Sequence, residues 1–248
     1  MKPQDSIQKT WIPEGTKEYD DFKRITQENE YLAKYLQKQI MLRQGDLVLD
    51  VGGREGDISI QLQKAEYIHI IDPDPTLTIP YKPELFVRKK IQDVSLTHKY
   101  KLIIGSHIWG YLGNQQELQS VFHQLIDALD TKGTLALSYN TNTSYMDELL
   151  QFSKKIFKEE NYDTHYDYFN EKLIHALPKN KFKIDTKDVS FNLEYKSFEE
   201  LSRACWFLFG ANNQDIHSIA KLFSHKLESD LCEPHFDLEE RIVLITKR

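Results

Sequence analysis

Apolar residues at Tyr31, Leu32, Tyr35, Leu36 and Ile40 recur three and four positions apart, the spacing that lines side chains along one face of an α-helix. This predicts one or two amphipathic helices over Tyr19 to Leu42, ended by Gln44-Gly45-Asp46. The period then changes. Leu47 to Val51 is a short apolar run of strand length, followed by a helical pattern over Ile58 to Ala65 and a second strand over Tyr67 to Ile71. A proline-rich connection through Pro83 leads to Leu85 to Lys89. Next come a strand over Lys101 to Ile104, a helix over Gln115 to Asp130, the turn Thr131-Lys132-Gly133 and a strand over Thr134 to Tyr139. Strands alternating with helical patterns predict an α/β fold, a parallel sheet covered on both faces.

The second half has a different character. Tyr145 to Glu160 reads as helical, Asn161 to Asn170 as an aromatic loop or lid, and Phe182 to Tyr195 as one long strand or two short ones. Ser197 to Gly210 and Asp215 to Ser229 read as helices, and Arg241 to Thr246 as a closing strand. No internal repeat or low-complexity tract is present.

Composition narrows the classes. With 248 residues, 40% of them hydrophobic, the chain buries a substantial core, and one domain with insertions is expected. The longest apolar run, Ala204 to Ala211, falls short of the ~20 residues of a membrane span. The N-terminus lacks a signal-peptide core, so no membrane association and a cytoplasmic location are expected. The two cysteines, Cys205 and Cys232, have no ligand-like spacing and read as free buried thiols; no metal site is expected. The net charge of -6 argues against a general grip on nucleic-acid backbones and favours a small-molecule partner. Lys179 to Lys187 reads as a solvated strand face. The sequence carries no signature of an oligomeric state.

The candidate chemistry begins where the first strand ends. Asp50-Val51-Gly52-Gly53-Arg54-Glu55-Gly56 is a carboxylate followed by a glycine turn. Glycines there permit unusual backbone angles and remove side chains that would block a nucleotide-like ligand. In open parallel sheets ligands sit beyond the carboxyl ends of the strands. The second strand ends in Asp72, 22 residues beyond Asp50, close to the ~20-residue offset of an acid that binds ribose hydroxyls. Asp74, in Asp72-Pro73-Asp74-Pro75, is better read as part of the turn.

Together these residues resemble the class I S-adenosylmethionine-dependent methyltransferases. Asp50 through Gly56 is similar to their first motif, whose glycine loop, here Gly52, Gly53 and Gly56, lies under the methionine part of the cofactor. Asp72, with Pro73 after it, matches their ribose-binding acid. Gln92-Asp93 resembles the pair whose acidic side chain meets the adenine amino group, and Ile104-Gly105-Ser106-His107 falls where strand four ends beside the cofactor. The resemblance covers roughly Tyr31 to Tyr139. It implies a doubly wound, mostly parallel seven-stranded sheet. It further implies an N-terminal helical cap over residues 1–43, a cofactor-binding core over 44–140, and the remaining sheet with acceptor-site insertions over 141–248. Arg54 departs from the pattern, standing where the family has a glycine. The loop also lacks the G-x-G-x-x-G spacing of dinucleotide folds.

Methyl transfer from a sulfonium is an in-line displacement that needs alignment, exclusion of water and, for a protonated acceptor, removal of a proton. His107 is the candidate base. The Asn/Asp-Pro-Pro-aromatic sequence of amino- and nucleobase-methylating relatives is absent, Ser106-His107-Ile108-Trp109 standing in its place. Trp109 and Tyr111 are candidates to wall an acceptor pocket. Acceptor contacts are also expected from Tyr19, Phe22 and Tyr31, from the aromatic segment containing Tyr166, and from the insertion Ser197 to Cys232. Two other readings remain open: a non-catalytic module that keeps the fold, and a nicotinamide-dependent oxidoreductase.

Overall fold

A computed structural model of the chain describes residues 16–63, 65–109, 112, 114–141, 168–194, 196 and 237–248. The apolar run of β1 (Leu47–Val51) is buried along nearly its whole length, as expected of a strand covered on both faces. It pairs in parallel with β2 (Tyr67–Ile71) on one side and with β4 (Tyr100–Ser106) on the other. β3 (Leu85–Val87) extends the sheet beyond β2, and β5 (Leu129–Asn140) lies beside β4, both in parallel. β7 (Asp237–Lys247) pairs antiparallel with β5 and with the edge strand β6 (Phe182–Asn192). The resulting order is β3-β2-β1-β4-β5-β7-β6, so the expected seven-stranded, mostly parallel sheet is present. Its order reverses between β1 and β4, and this reversal is the crevice where open α/β sheets take ligands.

Helices cover the faces. α1 (Thr16–Thr26) and α2 (Glu28–Gln39) form the expected N-terminal pair. Leu32, Ala33 and Leu36 of α2 pack on Val48, Leu102 and Ile104, the same-face residues of β1 and β4. On the other face, α3 (Gln115–Asp127) buries Leu118, Val121, Phe122 and Leu125 against Leu49, Ile103 and Leu135. Asn114 caps α3, its side chain accepting from the backbone N–H groups of Gln116 and Glu117.

Four elements differ from the expectation. Ile58 to Ala65 forms only the tight turn Ser59–Gln61; Ile58 and Leu62, four apart, are both buried, so one turn satisfies the pattern that suggested a helix. Thr131-Lys132-Gly133 lies within β5 as an irregularity rather than a turn between elements: Tyr100 faces Leu129 while Leu102 faces Thr134. Gly133 is required there because a Cβ would lie 2.6 Å from the Tyr100 carbonyl oxygen. The end of the expected aromatic loop is helical, since Tyr168–Ile174 forms a wide π-helical turn that buries Phe169 and Leu173. β7 is also longer than the six residues expected, whereas β6 is one long strand, the first of the two forms expected there. The readings over 142–167 and 197–236, with Cys205 and Cys232, lie outside the described residues.

Candidate functional site

Two groups of residues meet at the carboxyl ends of β1, β2 and β4. The first is the glycine loop. Asp50, near the end of β1, is buried and accepts the Ser59 backbone N–H at 3.3 Å, which ties the far end of the loop to the strand. Gly53 sits directly on this carboxyl group, and any Cβ would collide with it. Gly52 takes φ +66° and donates its N–H to the Ile71 carbonyl at 2.8 Å. Gly56 takes φ +80°, with the Tyr81 hydroxyl where a Cβ would stand. Three of the loop's positions therefore exclude side chains on steric or conformational grounds. Burial, partly offset by the hydrogen bonds from Ser59, pushes the Asp50 carboxyl up to about 7.

Arg54 also adopts left-handed backbone, at φ +48°. The chain thus keeps the conformation for which a glycine would serve, at a cost of about 1–2 kcal/mol for an L side chain. Its N–H donates to Asp72 Oδ2 at 2.9 Å, and the Asp74 N–H donates to Asp72 Oδ1 at 2.9 Å. Asp72 is 1% exposed, covered by the loop it anchors. Burial raises its carboxyl above the ordinary range, against the pull of those two N–H groups. Each oxygen keeps a second lone pair beyond the N–H it accepts. Pro73 and Gly52 are exposed at the same edge. Gln92 and Asp93 lie on the tight turn Ile91–Asp93 after β3, Asp93 exposed. α1 braces the loop from outside: Lys23 Nζ lies 3.0 Å from Asp57 and 3.8 Å from Glu55.

The second group surrounds His107. Ser106, the last residue of β4, places its hydroxyl 3.4 Å from that of Ser138 on β5. His107 turns out of the strand at φ +54°, its N–H donating to the Ser138 carbonyl at 2.8 Å. Its Nε2 lies 3.1 Å from Glu240 Oε1 of β7 and 3.7 Å from Glu28 Oε2 of α2. The Ser138 hydroxyl donates to Glu240 Oε2 at 2.9 Å. Gln27, at φ +51°, makes the sharp corner that delivers Glu28 to this place. Three of the four left-handed non-glycine residues among the described residues, Gln27, Arg54 and His107, therefore flank one edge of the sheet, as strained backbone at functional sites does.

Burial and the neighbouring Glu240 hold the Glu28 carboxyl well above the usual carboxylate range. Burial pushes Glu240 up as well, but the His107 ring beside it, with the hydrogen bonds of His107 and of the Ser138 hydroxyl, outweighs burial and holds Glu240 below the usual carboxylate range.

The expected acceptor residues are less gathered. Trp109 is 3% exposed, its ring stacked on Phe169 at a centroid distance of 4.4 Å and edge-on to Phe122 at 6.5 Å. Phe22 is buried with Ile25, Phe191 and Leu238, and Tyr31 meets Phe191 edge-on. Tyr19 lies on α1, and Tyr111 and Tyr166 fall outside the described residues. Glu28 and Glu240 were not anticipated from sequence. Glu28 resembles any acidic residue in the first turn of a helix, and Glu240 any charge on a closing strand.

No protein-family model and no curated protein sequence matches the chain. Solved structures do match its fold. The cyclopropane-fatty-acyl-phospholipid synthase-like protein from Lactobacillus casei ATCC 334 is 14% identical, with a TM-score of 0.55 over 92% of each chain. The plantazolicin methyltransferase BpumL, in complex with a triazolic desmethylPZN analog and SAH, is 15% identical, with a TM-score of 0.53 over 94% of this chain and 90% of that one. N-methyltransferase NodS from Bradyrhizobium japonicum WM9 is 11% identical, with a TM-score of 0.50 over 92% of this chain and 96% of that one. The chain shares the Rossmann-like fold of these solved methyltransferases. Among the described residues no helix is long and apolar enough to cross a membrane.

Proposed function

We propose that the chain is a single-domain S-adenosylmethionine-dependent methyltransferase acting on an oxygen or nitrogen of a small molecule. The observation that carries this reading is the glycine loop and Asp72 at the carboxyl ends of β1 and β2, beside the reversal between β1 and β4. Methyltransferases of the same fold, one of them solved with SAH, support it. Bound S-adenosylmethionine would supply an electrophilic methyl group on a sulfonium. In this reading Asp50, Gly52, Gly53 and Gly56 shape the loop that holds its methionine part. Asp72, with Pro73, takes the ribose hydroxyls, and Gln92 and Asp93 border the adenine. Ser106 and His107 close the β4 side. His107 acting as base requires Nδ1, because Nε2 faces the two glutamates. The net charge of -6 supports a small acceptor over nucleic acid, and the reading places the reaction in the cytoplasm.

Incubation with methyl-labelled S-adenosylmethionine and a panel of small alcohols, phenols and amines is expected to move label to an acceptor. One structural feature favours the second reading, a non-catalytic module: the loop, through its backbone N–H at position 54, closes over Asp72 and leaves it 1% exposed. Cofactor binding without label transfer across the whole panel would support it. A thermal shift with NAD and none with S-adenosylmethionine would instead point to an oxidoreductase.

A further inference from the structure

Glu28, His107 and Glu240 come from α2, the end of β4 and β7, and each offers one ligand atom within 4.8 Å of the other two. Glu28 is 5% exposed and Glu240 2%, so two carboxylates are removed from water at one point. Taking charge out of water costs several kcal/mol per ion unless it is paired. Among the described residues no Lys or Arg forms an ion pair with either carboxylate; the His107 ring is the group that faces both. Glu28 Oε2, buried and aimed at His107 Nε2, has no hydrogen-bond partner. A buried acceptor with nothing to accept marks a place for a missing ligand.

The spacing says what kind. Donor atoms around a divalent metal ion sit about 2.0–2.2 Å from it, hence roughly 3–4 Å from one another. Around an ammonium nitrogen they sit about 2.8 Å away, which would set them nearer 4.5 Å apart. His107 Nε2 hydrogen-bonds one carboxylate oxygen at 3.1 Å and lies 3.7 Å from the other, separations that two ligands of one metal ion also take.

We propose that Glu28, His107 and Glu240 form a binding site for a divalent metal ion, taken through Nε2 and one oxygen from each glutamate. One nitrogen and two carboxylates suit a first-row transition ion such as Mn²⁺ or Zn²⁺. Ser138 acts from behind: its hydroxyl holds Glu240 Oε2 at 2.9 Å, leaving Oε1 for the ion, the orienting contact typical of ligating carboxylates. The His107 side chain is 28% exposed, which gives the ion a way in. The site goes beyond the methyltransferase reading, because the three ligands converge whether or not the glycine loop takes a cofactor. An ion on Nε2 takes the imidazole out of proton transfer, so the base role of His107 belongs to the ion-free protein.

The test uses the full chain stripped with chelator and then titrated with Mn²⁺, free ion being followed by its electron paramagnetic resonance signal, and with Zn²⁺ by calorimetry. One equivalent of ion is expected to bind. Glu28→Gln and His107→Asn should each weaken it by roughly 10–100-fold or more. Glu28→Gln is nearly isosteric, so an unchanged melting temperature without metal certifies that the variant folds. His107→Asn is a second, independent removal of a ligand. Absence of binding to wild-type protein at millimolar ion, or binding by both folded variants as tight as wild type, would overturn the proposal. Neither result depends on S-adenosylmethionine, so failure here is distinguishable from failure of the methyltransferase reading.

Discussion

The glycine-loop half of the site and the histidine half are built in opposite ways. In the loop half the decisive contacts are local: Ser59 reaches Asp50 across 9 positions and Arg54 reaches Asp72 across 18. In the histidine half, His107 meets Glu240 across 133 positions, and Glu28 arrives from a helix ahead of the first strand. The loop half depends on residues that must lack side chains. The histidine half depends on charged side chains that must converge. A local constraint leaves a motif in the sequence; convergence leaves none until the sheet order has brought the elements together.

Variants sharpen this contrast, beginning with the largest effect. Asp50 has its carboxyl raised to about 7 by burial, from an ordinary 3.8. A folded-state pKa above the unfolded one gives stability that is full below the unfolded value and is lost as pH rises through the folded one. Wild-type protein should therefore lose about 3–4 kcal/mol from this group between pH 4 and pH 8. Asp50→Asn should remove that slope and be the more stable protein at pH 8. Denaturant titrations of both proteins at the two pH values check it, and parallel pH profiles would show that Asp50 does not titrate as its burial requires.

Gly53→Ala comes next. A Cβ at this position collides with the Asp50 carboxyl group, and overpacking of this kind costs about 1–3 kcal/mol. A denaturation midpoint equal to wild type would show that the loop is not seated on the strand. Arg54→Gly is the smallest. It relieves left-handed backbone at φ +48° but adds freedom to the unfolded chain, for a net gain of about 0.5–1 kcal/mol. A loss of stability would mean that the Arg54 side chain contributes more than its backbone costs.

The same contrast explains what was legible. The run Leu47–Val51, the glycines after it and Asp72 announced the sheet and the loop, because period, turn chemistry and strand ends are local properties. The helix expected after the loop shrank to Ser59–Gln61, since burying Ile58 and Leu62 needs one turn and Asp50 fixes the chain at Ser59. Arg54 was legible as a departure, but its seal over Asp72 was not, because a backbone N–H is invisible in residue identity. His107 was singled out by its position after strand four. Its partners Glu28 and Glu240 were not, since each reads in isolation as an ordinary surface charge.

On the proposed function, the loop above Asp72 takes an adenosyl cofactor. Calorimetric titration of SAH into wild-type protein and into Asp72→Ala tests it most directly. Saturable one-to-one binding to wild type is expected, weakened by about 1–3 kcal/mol in the variant through loss of charged hydrogen bonds. No heat of binding to wild-type protein, or equal affinity in the two, would contradict it.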